Sequence, residues 1–330
     1  MTASHFLDKV GEISNPRWQC VKKAKLITEP AKFEVFRLAR AIEAIAQSDG
    51  DYWTDIPALS LHRRSHPTEP LHCIFNLGLG VVAQGHKQAL VGGQVNTYGP
   101  GQSMVTTIDL PVISHVTQAS LVQPLLGMML TLDPRLVQEV AADMKLPSPS
   151  RRQECRTLSI EALDAPLASD LVRLVSLLGE SSTLVTRLAP LLQEQIVVRL
   201  LLGPHGPQLQ HLVSDGTPSQ QISKAVSWLK QNFAQSLHID ELATLVHMSP
   251  TSFRQHFRKM TGTSPLQYQK TLRLQEARQL MLSRRLDAGS ASGLVGYESP
   301  SQFSREYSRL FGAPPQADVR RLHANQLPLG

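Results

Sequence analysis

Arg254 and Gln255 lie side by side between Phe253 and Phe257, with Thr251, Ser252 and Arg258 close by. A guanidinium and a primary amide can each make two parallel hydrogen bonds to a planar polar edge, and hydroxyls adapt to donor or acceptor. Phe253, Phe257 and Met260 follow the i, i+4, i+7 spacing of a helix buried along one stripe. The polar residues then share the outward face. Fifty residues further on the arrangement recurs: Phe303, Tyr307 and Leu310 form the stripe, and Ser301, Gln302, Ser304 and Arg305 take the polar positions.

Each copy carries the signals of a short, closed helix. Ser249-Pro250 and Ser299-Pro300 supply a capping hydroxyl and a pre-set φ at the start, and Gly262 and Gly312 follow the end. A second short helix precedes each. Ile239 to Val246 has Asp240 and Glu241 in its first turn, where the helix dipole favours them, and Asp287 to Val295 precedes the second copy. Val246 and Val295 are 49 apart whereas the phenylalanines are 50 apart, so the second turn is one residue longer. Two short helices joined by a tight turn make a helix-turn-helix, here at residues 239–261 and 287–311, whose second helix can enter a DNA major groove. A stack of helical hairpins in a repeat scaffold is the alternative, but two copies with unequal turns are fewer than such scaffolds need.

Charge favours the first reading. Residues 217–330 hold 14 Lys+Arg against 7 Asp+Glu, a net of +7, while residues 1–216 hold 19 against 20, a net of −1. The whole basic excess therefore coincides with the repeated motif, which suggests a polyanion partner. Between the copies, residues 266–283 keep Leu274, Ala277, Leu280 and Met281 at helical spacing without Gly or Pro. Eighteen residues at ~1.5 Å each span roughly 27 Å, compatible with readers set one DNA turn of about 34 Å apart.

At these residues the chain resembles the DNA-binding domain of AraC/XylS transcriptional regulators. Pro265, Tyr268, Arg273-Leu274, Ala277, Leu280, Val295-Gly296-Tyr297, Ser299, Phe303 and Arg305 fall in register with the family pattern over residues 219–318. The resemblance implies base contacts at Thr251, Arg254 and Gln255, with Ser252 on the same face and Ser301, Gln302, Ser304 and Arg305 in matching positions. Arg suits guanine O6/N7 and Gln suits adenine N6/N7. Arg258, Lys259, Lys270 and Arg309 are the expected phosphate contacts, which position without specifying. For Arg305 a salt bridge to Glu298 or Glu306 is the competing role. The chain departs from the family at Ala288, Ala291-Ser292, Gly289 and Gly293, where members usually carry Ile and Ile-Ala; small residues and interior glycines imply a looser second unit.

The N-terminal part has a different pattern. Apolar residues alternate in short runs over residues 59–132 (Cys73, Phe75, Leu77, Leu79, Val81; 104–108; 112–116), separated by turn signals at Gln84-Gly85, Gly92-Gly93 and Gly99-Pro100-Gly101. Many short strands at this spacing predict an antiparallel barrel or sandwich. Helices are expected over 134–144, 160–179 and 184–203, and a Gly/Pro-rich linker from about 204 to 217. Segments such as Val82 to Lys87 and Tyr98 to Gly101 resemble the cupin-like N-terminal domain of one AraC-type subgroup, which implies a regulatory barrel followed by dimerising helices. Leu188, Leu191, Leu192 and Ile196 form the expected dimerisation stripe.

Other chemistry finds less support. His62, His66 and His72 lie near Cys73, but the chain lacks the H-x-H pair and following Glu of metal cupins, so no metal is expected. Gly78-Leu79-Gly80 lacks a third glycine and opens no helix, and Gly289-Ser-Ala-Ser-Gly293 has Ala where a nucleophile would sit. Cys20, Cys73 and Cys155 are few, odd in number and far apart, which argues against disulfides and zinc knuckles. No signal peptide is visible, and the most apolar run, 121–132, is short and broken by Pro124, so no membrane partner is expected.

The expected fold class is α+β and multidomain: an N-terminal antiparallel β-barrel (cupin-like) with flanking helices, then an all-α domain with two helix-turn-helix motifs. Residues 1–203 would regulate and dimerise, 204–217 link, 218–322 bind DNA, and 323–330 form a flexible tail. The expected function is a non-enzymatic, homodimeric, sequence-specific regulator acting on double-stranded operator DNA. It would be cytoplasmic and nucleoid-associated, need no cofactor, and have RNA polymerase and a small-molecule effector as further partners. The alternatives are a metal- or small-molecule-dependent cupin enzyme fused to a DNA-binding module, and an architectural DNA-bending protein.

Overall fold

The structure, a computed structural model, describes residues 28–146, 156–214 and 216–326. Ten strands form two antiparallel sheets. The larger has the order β1 (Gly50–Trp53), β2 (Leu59–Arg64), β9 (Leu125–Thr131), β4 (Gly78–Gln84), β7 (Gln102–Thr106), β10 (Leu158–Ala162). The smaller has the order β3 (Leu71–Phe75), β8 (Leu110–Gln118), β5 (His86–Val91), β6 (Gln94–Tyr98). The expected closed barrel is thus an open two-sheet sandwich. Along β8 Leu110, Val112, Ser114 and Val116 are buried and the residues between them less so, as for a strand with one face inward. β4 is buried almost throughout, because β9 and β7 flank it and α1 (Glu29–Ile45) packs across it. Its two-sided burial reads in sequence as an unbroken apolar run.

The glycine signals fall at the strand junctions. Gly92 and Gly93 have φ of 55° and 86°, the paired positive values of a two-residue hairpin turn between β5 and β6.

Helices α2 (Pro134–Asp143), α3 (Ala165–Ser176), α4 (Ser182–Leu202), α5 (Gly206–Val213) and α6 (Pro218–Gln231) follow. Asp133 and Asp164 cap the first two through Arg135 N and Leu167 N. Two expectations are corrected here. Residues 158–162 form β10 against β7, so the helix expected from 160 begins at Ala165. The segment expected to be a linker contains α5, whose Leu209 and Leu212 are buried. Pro207 opens this helix, because an N-terminal proline loses no intrahelical hydrogen bond.

The C-terminal part adds α7 (Ile239–Leu245), α8 (Pro250–Thr261), α9 (Pro265–Arg284), α10 (Ala288–Leu294), α11 (Pro300–Phe311) and α12 (Pro315–Gln326). The last extends into the expected tail. The described residues form two compact units, one of residues 28–231 and 237–268, the other of residues 232–236 and 269–326. The border falls inside the continuous helix α9.

The dimerisation stripe divides. Leu192 and Ile196 are 6% and 0% exposed and belong to the core of their own unit, whereas Leu188 and Leu191 are 39% and 61% exposed. Leu184, one turn before Leu188, is exposed as well, so the outward apolar row is Leu184, Leu188 and Leu191.

Candidate nucleic-acid interface

In the first reading unit, Leu242, Ala243 and Val246 from the supporting helix pack with Phe253, Phe257 and Met260 of α8, all buried. Tyr268 closes this core edge-on to Phe257, ring centres 5.4 Å apart, a favoured aromatic geometry. The turn bends through His247 at φ 56°, and Met248 N donates to Ala243 O at 2.9 Å. Ser249 Oγ accepts from Ser252 N at 3.3 Å, and Gly262 ends the helix in the left-handed conformation. This packing leaves Thr251, Arg254, Gln255, Arg258 and Lys259 exposed and Ser252 half-buried. Arg254 lies 3.8 Å from Asp240 of the supporting helix, a solvent-exposed contact that is weak and easily exchanged.

The second unit is built alike. Asp287 caps α10 through Ser290 N (2.9 Å) and Ser290 Oγ (2.6 Å), and Ser299 caps α11 through Gln302 N. Phe303 and Tyr307 are buried, but the third stripe position belongs to Phe311 and not Leu310, which packs only at the edge. The longer turn passes through Gly296 at φ 85°, where an added Cβ would lie 2.2 Å from Ala234 O, so glycine is required there. Arg273 holds this turn: its guanidinium donates to Gly296 O at 2.8 Å, Phe233 O at 2.7 Å and Gln235 O at 2.9 Å. The arginine of the motif is therefore a backbone clamp, a role its position in the sequence did not reveal.

Two acidic hubs have no local signal in the sequence. Asp318, fully buried, accepts from Arg278 (2.8 and 3.1 Å), Arg321 (2.8 Å) and the Tyr307 hydroxyl (2.9 Å). Glu306 accepts from Lys270 at 2.7 Å, Gln302 at 3.1 Å and the Tyr297 hydroxyl at 2.8 Å. Burial pushes the Glu306 carboxyl up, but the hydrogen bonds from Lys270, Gln302 and Tyr297 outweigh it and hold it below its ordinary value. Lys270 and Gln302 thus have partners within the protein. Ser301, Arg305 and Arg309 are exposed, Ser304 is half-buried, and Arg305 makes no ion pair among the described residues.

Two helices, each anchored by aromatics and presenting hydroxyl, amide and guanidinium groups outward, both lie inside one family match, and the two sheets lie inside another. Residues 55–208 match the AraC-type transcriptional regulator N-terminus and residues 242–321 match a helix-turn-helix domain. The chain belongs to the AraC/XylS family. RclR of Escherichia coli, an HTH-type transcriptional activator, is 40% identical over 77 residues, 23% of this AraC-type chain and 27% of RclR. GbdR of Pseudomonas aeruginosa, an HTH-type transcriptional regulator, is 31% identical over 108 residues, 33% of this chain and 29% of GbdR. The AraC-type chain thus spans less than a third of either relative. An apo ToxT variant from Vibrio cholerae shares the fold with TM-score 0.57 at 10% identity, covering 81% of this chain and 99% of ToxT.

Proposed function

We propose that the protein is a sequence-specific transcriptional regulator that binds double-stranded operator DNA as a homodimer, with α8 and α11 in successive major-groove faces. The observation that carries this reading is the row of exposed Thr251, Arg254 and Gln255 on a helix whose other side is fixed by Phe253 and Phe257. Arg254 would read guanine and Gln255 adenine. Ser252 lies at the edge of this row, and Ser301, Gln302, Ser304 and Arg305 supply the second, weaker reading surface. Arg258, Lys259 and Arg309 would hold phosphates, and Lys270 would do so only by leaving Glu306.

The outward row Leu184, Leu188 and Leu191 supports a dimer through α4, since adjacent exposed leucines on a rigid helix favour burial against a partner. A regulator of this kind works in the cytoplasm at the nucleoid, in contact with RNA polymerase and under a small-molecule effector, without catalysis of its own. Among the described residues no helix is long and apolar enough to cross a membrane. Genome-wide footprinting with and without cell extract tests the reading. Discrete protected sites that share a sequence support it; protection spread evenly over the genome would refute it.

A further inference from the structure

Gln302 stands in the first turn of α11, the part of such a helix that meets base edges in a major groove. Its backbone N–H donates to Ser299 Oγ at 3.3 Å, and its side-chain amide nitrogen donates to Glu306 Oε1 at 3.1 Å, one turn further along. A primary amide ordinarily reads in either sense, because half a revolution exchanges its donor and acceptor ends. An ionised carboxylate removes that freedom. It can only accept, so the flipped amide would set two oxygens against each other. The nitrogen end of Gln302 therefore stays toward Glu306. Its carbonyl oxygen is the end turned away, and it has no partner among the described residues.

Glu306 is itself held from two further elements. Oε1 accepts from Lys270 Nζ of α9 at 2.7 Å, and Oε2 accepts from the Tyr297 hydroxyl in the turn at 2.8 Å. Arg273, which clamps that turn, lies 5.8 Å from the Tyr297 ring centre. The Glu306 side chain is only 17% exposed. A carboxylate can take cytosine N4 directly, but both oxygens of this one are engaged and Lys270 matches its charge. It is placed to aim Gln302 rather than to read. An amide fixed in advance also loses less entropy when it is ordered on DNA. The first reading helix has no counterpart, since Ser252 and His256 hold the equivalent positions and neither carries an amide or a carboxylate.

We propose that Glu306 is a positioning residue for base selection: it locks the Gln302 amide with the carbonyl oxygen toward the groove. On the strand it contacts, the second reading helix then selects a base that offers an amino donor, adenine N6 or cytosine N4. Guanine and thymine present O6 and O4 acceptors at the same place and are disfavoured. A glutamine free to turn would also accept guanine, by donating to O6 or N7. The lock rests on the operator-binding reading above and adds to it a rule for one base pair.

Selection from a randomised duplex library with the full-length protein tests the lock. It is followed by affinity measurements on duplexes that carry each of the four bases at the position relaxed by Gln302→Ala. The wild type should prefer adenine or cytosine there by about tenfold, the factor of one hydrogen bond exchanged for two opposed acceptors. Gln302→Ala should erase that preference. Glu306→Gln keeps an acceptor for Lys270 and Tyr297 but lets the Gln302 amide turn, so the ratio should fall to about twofold, with guanine gaining. Its change of charge acts on all four duplexes alike and cancels in the ratio. On the Gln302→Ala background Glu306→Gln should change nothing further. A loss of equal size on both backgrounds would make Glu306 a structural residue only and overturn the proposal. So would a wild-type preference for guanine, or a selection profile unchanged by Gln302→Ala, which decides alone if Glu306→Gln fails to melt cooperatively. A shared sequence that ignores Gln302 removes only the lock, whereas a library that yields no shared sequence removes the operator reading and the lock with it.

Discussion

Lys230 reaches the carboxylate of Asp109 at 2.6 Å, joining the helix that leads into the C-terminal part to the turn before β8. The other carboxylate oxygen accepts from Leu77 N at 3.1 Å. Asp109→Asn keeps an acceptor for Leu77 and removes the charge that holds Lys230. Amide exchange within residues 239–268 should then quicken about fivefold, corresponding to about 1 kcal/mol, while β8 keeps its protection. Unchanged exchange in that segment would mean that the contact carries no weight.

Arg254→Ala should cost about 1–3 kcal/mol at the operator and relax preference at one base pair. Lys259→Ala should weaken all DNA alike and lower the salt slope by about one. Fluorescence anisotropy on operator and random duplexes distinguishes the two. Equal losses on both duplexes for both variants would contradict the division between base and phosphate contacts.

The second reading unit should be the looser of the two, because α10 and its C-cap contribute only Ala291 and Val295 to the buried apolar core, with Ala288 at its edge, and α10 carries Gly289 and Gly293 in its seven residues. Hydrogen exchange should find residues 287–312 less protected than 239–261. An added Cβ at Gly293 meets nothing within 4 Å, so Gly293→Ala should stabilise the unit by about 0.5–1 kcal/mol. At Gly289 the same change would put Cβ 3.1 Å from the Asp287 carboxylate that caps the helix, so Gly289→Ala should gain less. Chemical denaturation followed at this unit settles the order.

His205 is buried between Ser103 Oγ at 2.9 Å and Ser159 Oγ at 2.7 Å, and burial holds its imidazole down at about 4. The unfolded chain binds this proton near pH 6.5. Between those values the unfolded state holds more protons, so stability is complete above about 6.5 and is lost as the pH falls towards 4, by about 3 kcal/mol. His205→Asn should flatten that part of the stability profile in urea titrations. A variant as acid-sensitive as the wild type would assign the loss to other groups.

Leu188→Asp and Leu191→Asp should yield monomers in light scattering at micromolar concentration with melting temperatures close to that of the parent. Leu192→Asp, placed in the core, should instead lower the melting temperature steeply. A wild-type protein that is already monomeric would remove α4 as a dimer face.

The reading helices were legible because their signals are local: a capping Ser-Pro, aromatics four apart and a closing glycine all lie within one short segment. Even there, Leu310 and Phe311 both fit the spacing. The choice depends on partners distant in sequence, since Phe311 stacks 4.5 Å from Tyr307 and beneath Arg278 at 4.3 Å. Helix α5 is hard to tell from a linker in sequence because Gly206 and Pro207 signal a helix start as readily as a break, and burial of Leu209 decides between them. Asp318 looked like one acid among several, because Arg278 stands 40 residues away and only packing brings it close. The strands were visible as a group, but an open sandwich and a closed barrel have the same period of two.

Three further contacts bind the first reader to the sheets: Thr157 Oγ1 donates to Met260 O at 2.8 Å, Gly92 and Gly262 meet so closely that a Cβ on Gly262 would lie 2.5 Å from Gly92 Cα, and Tyr268 donates to Asp109. The sheets and this helix-turn-helix are therefore fitted parts. A chimera spliced at residue 218 to a sensor from another regulator would keep every DNA-facing side chain and still leave Met260 O and the Tyr268 hydroxyl without their acquired partners. Modular exchange in this protein is limited by Gly92, Asp109 and Thr157, which a splice would have to carry across along with the helices.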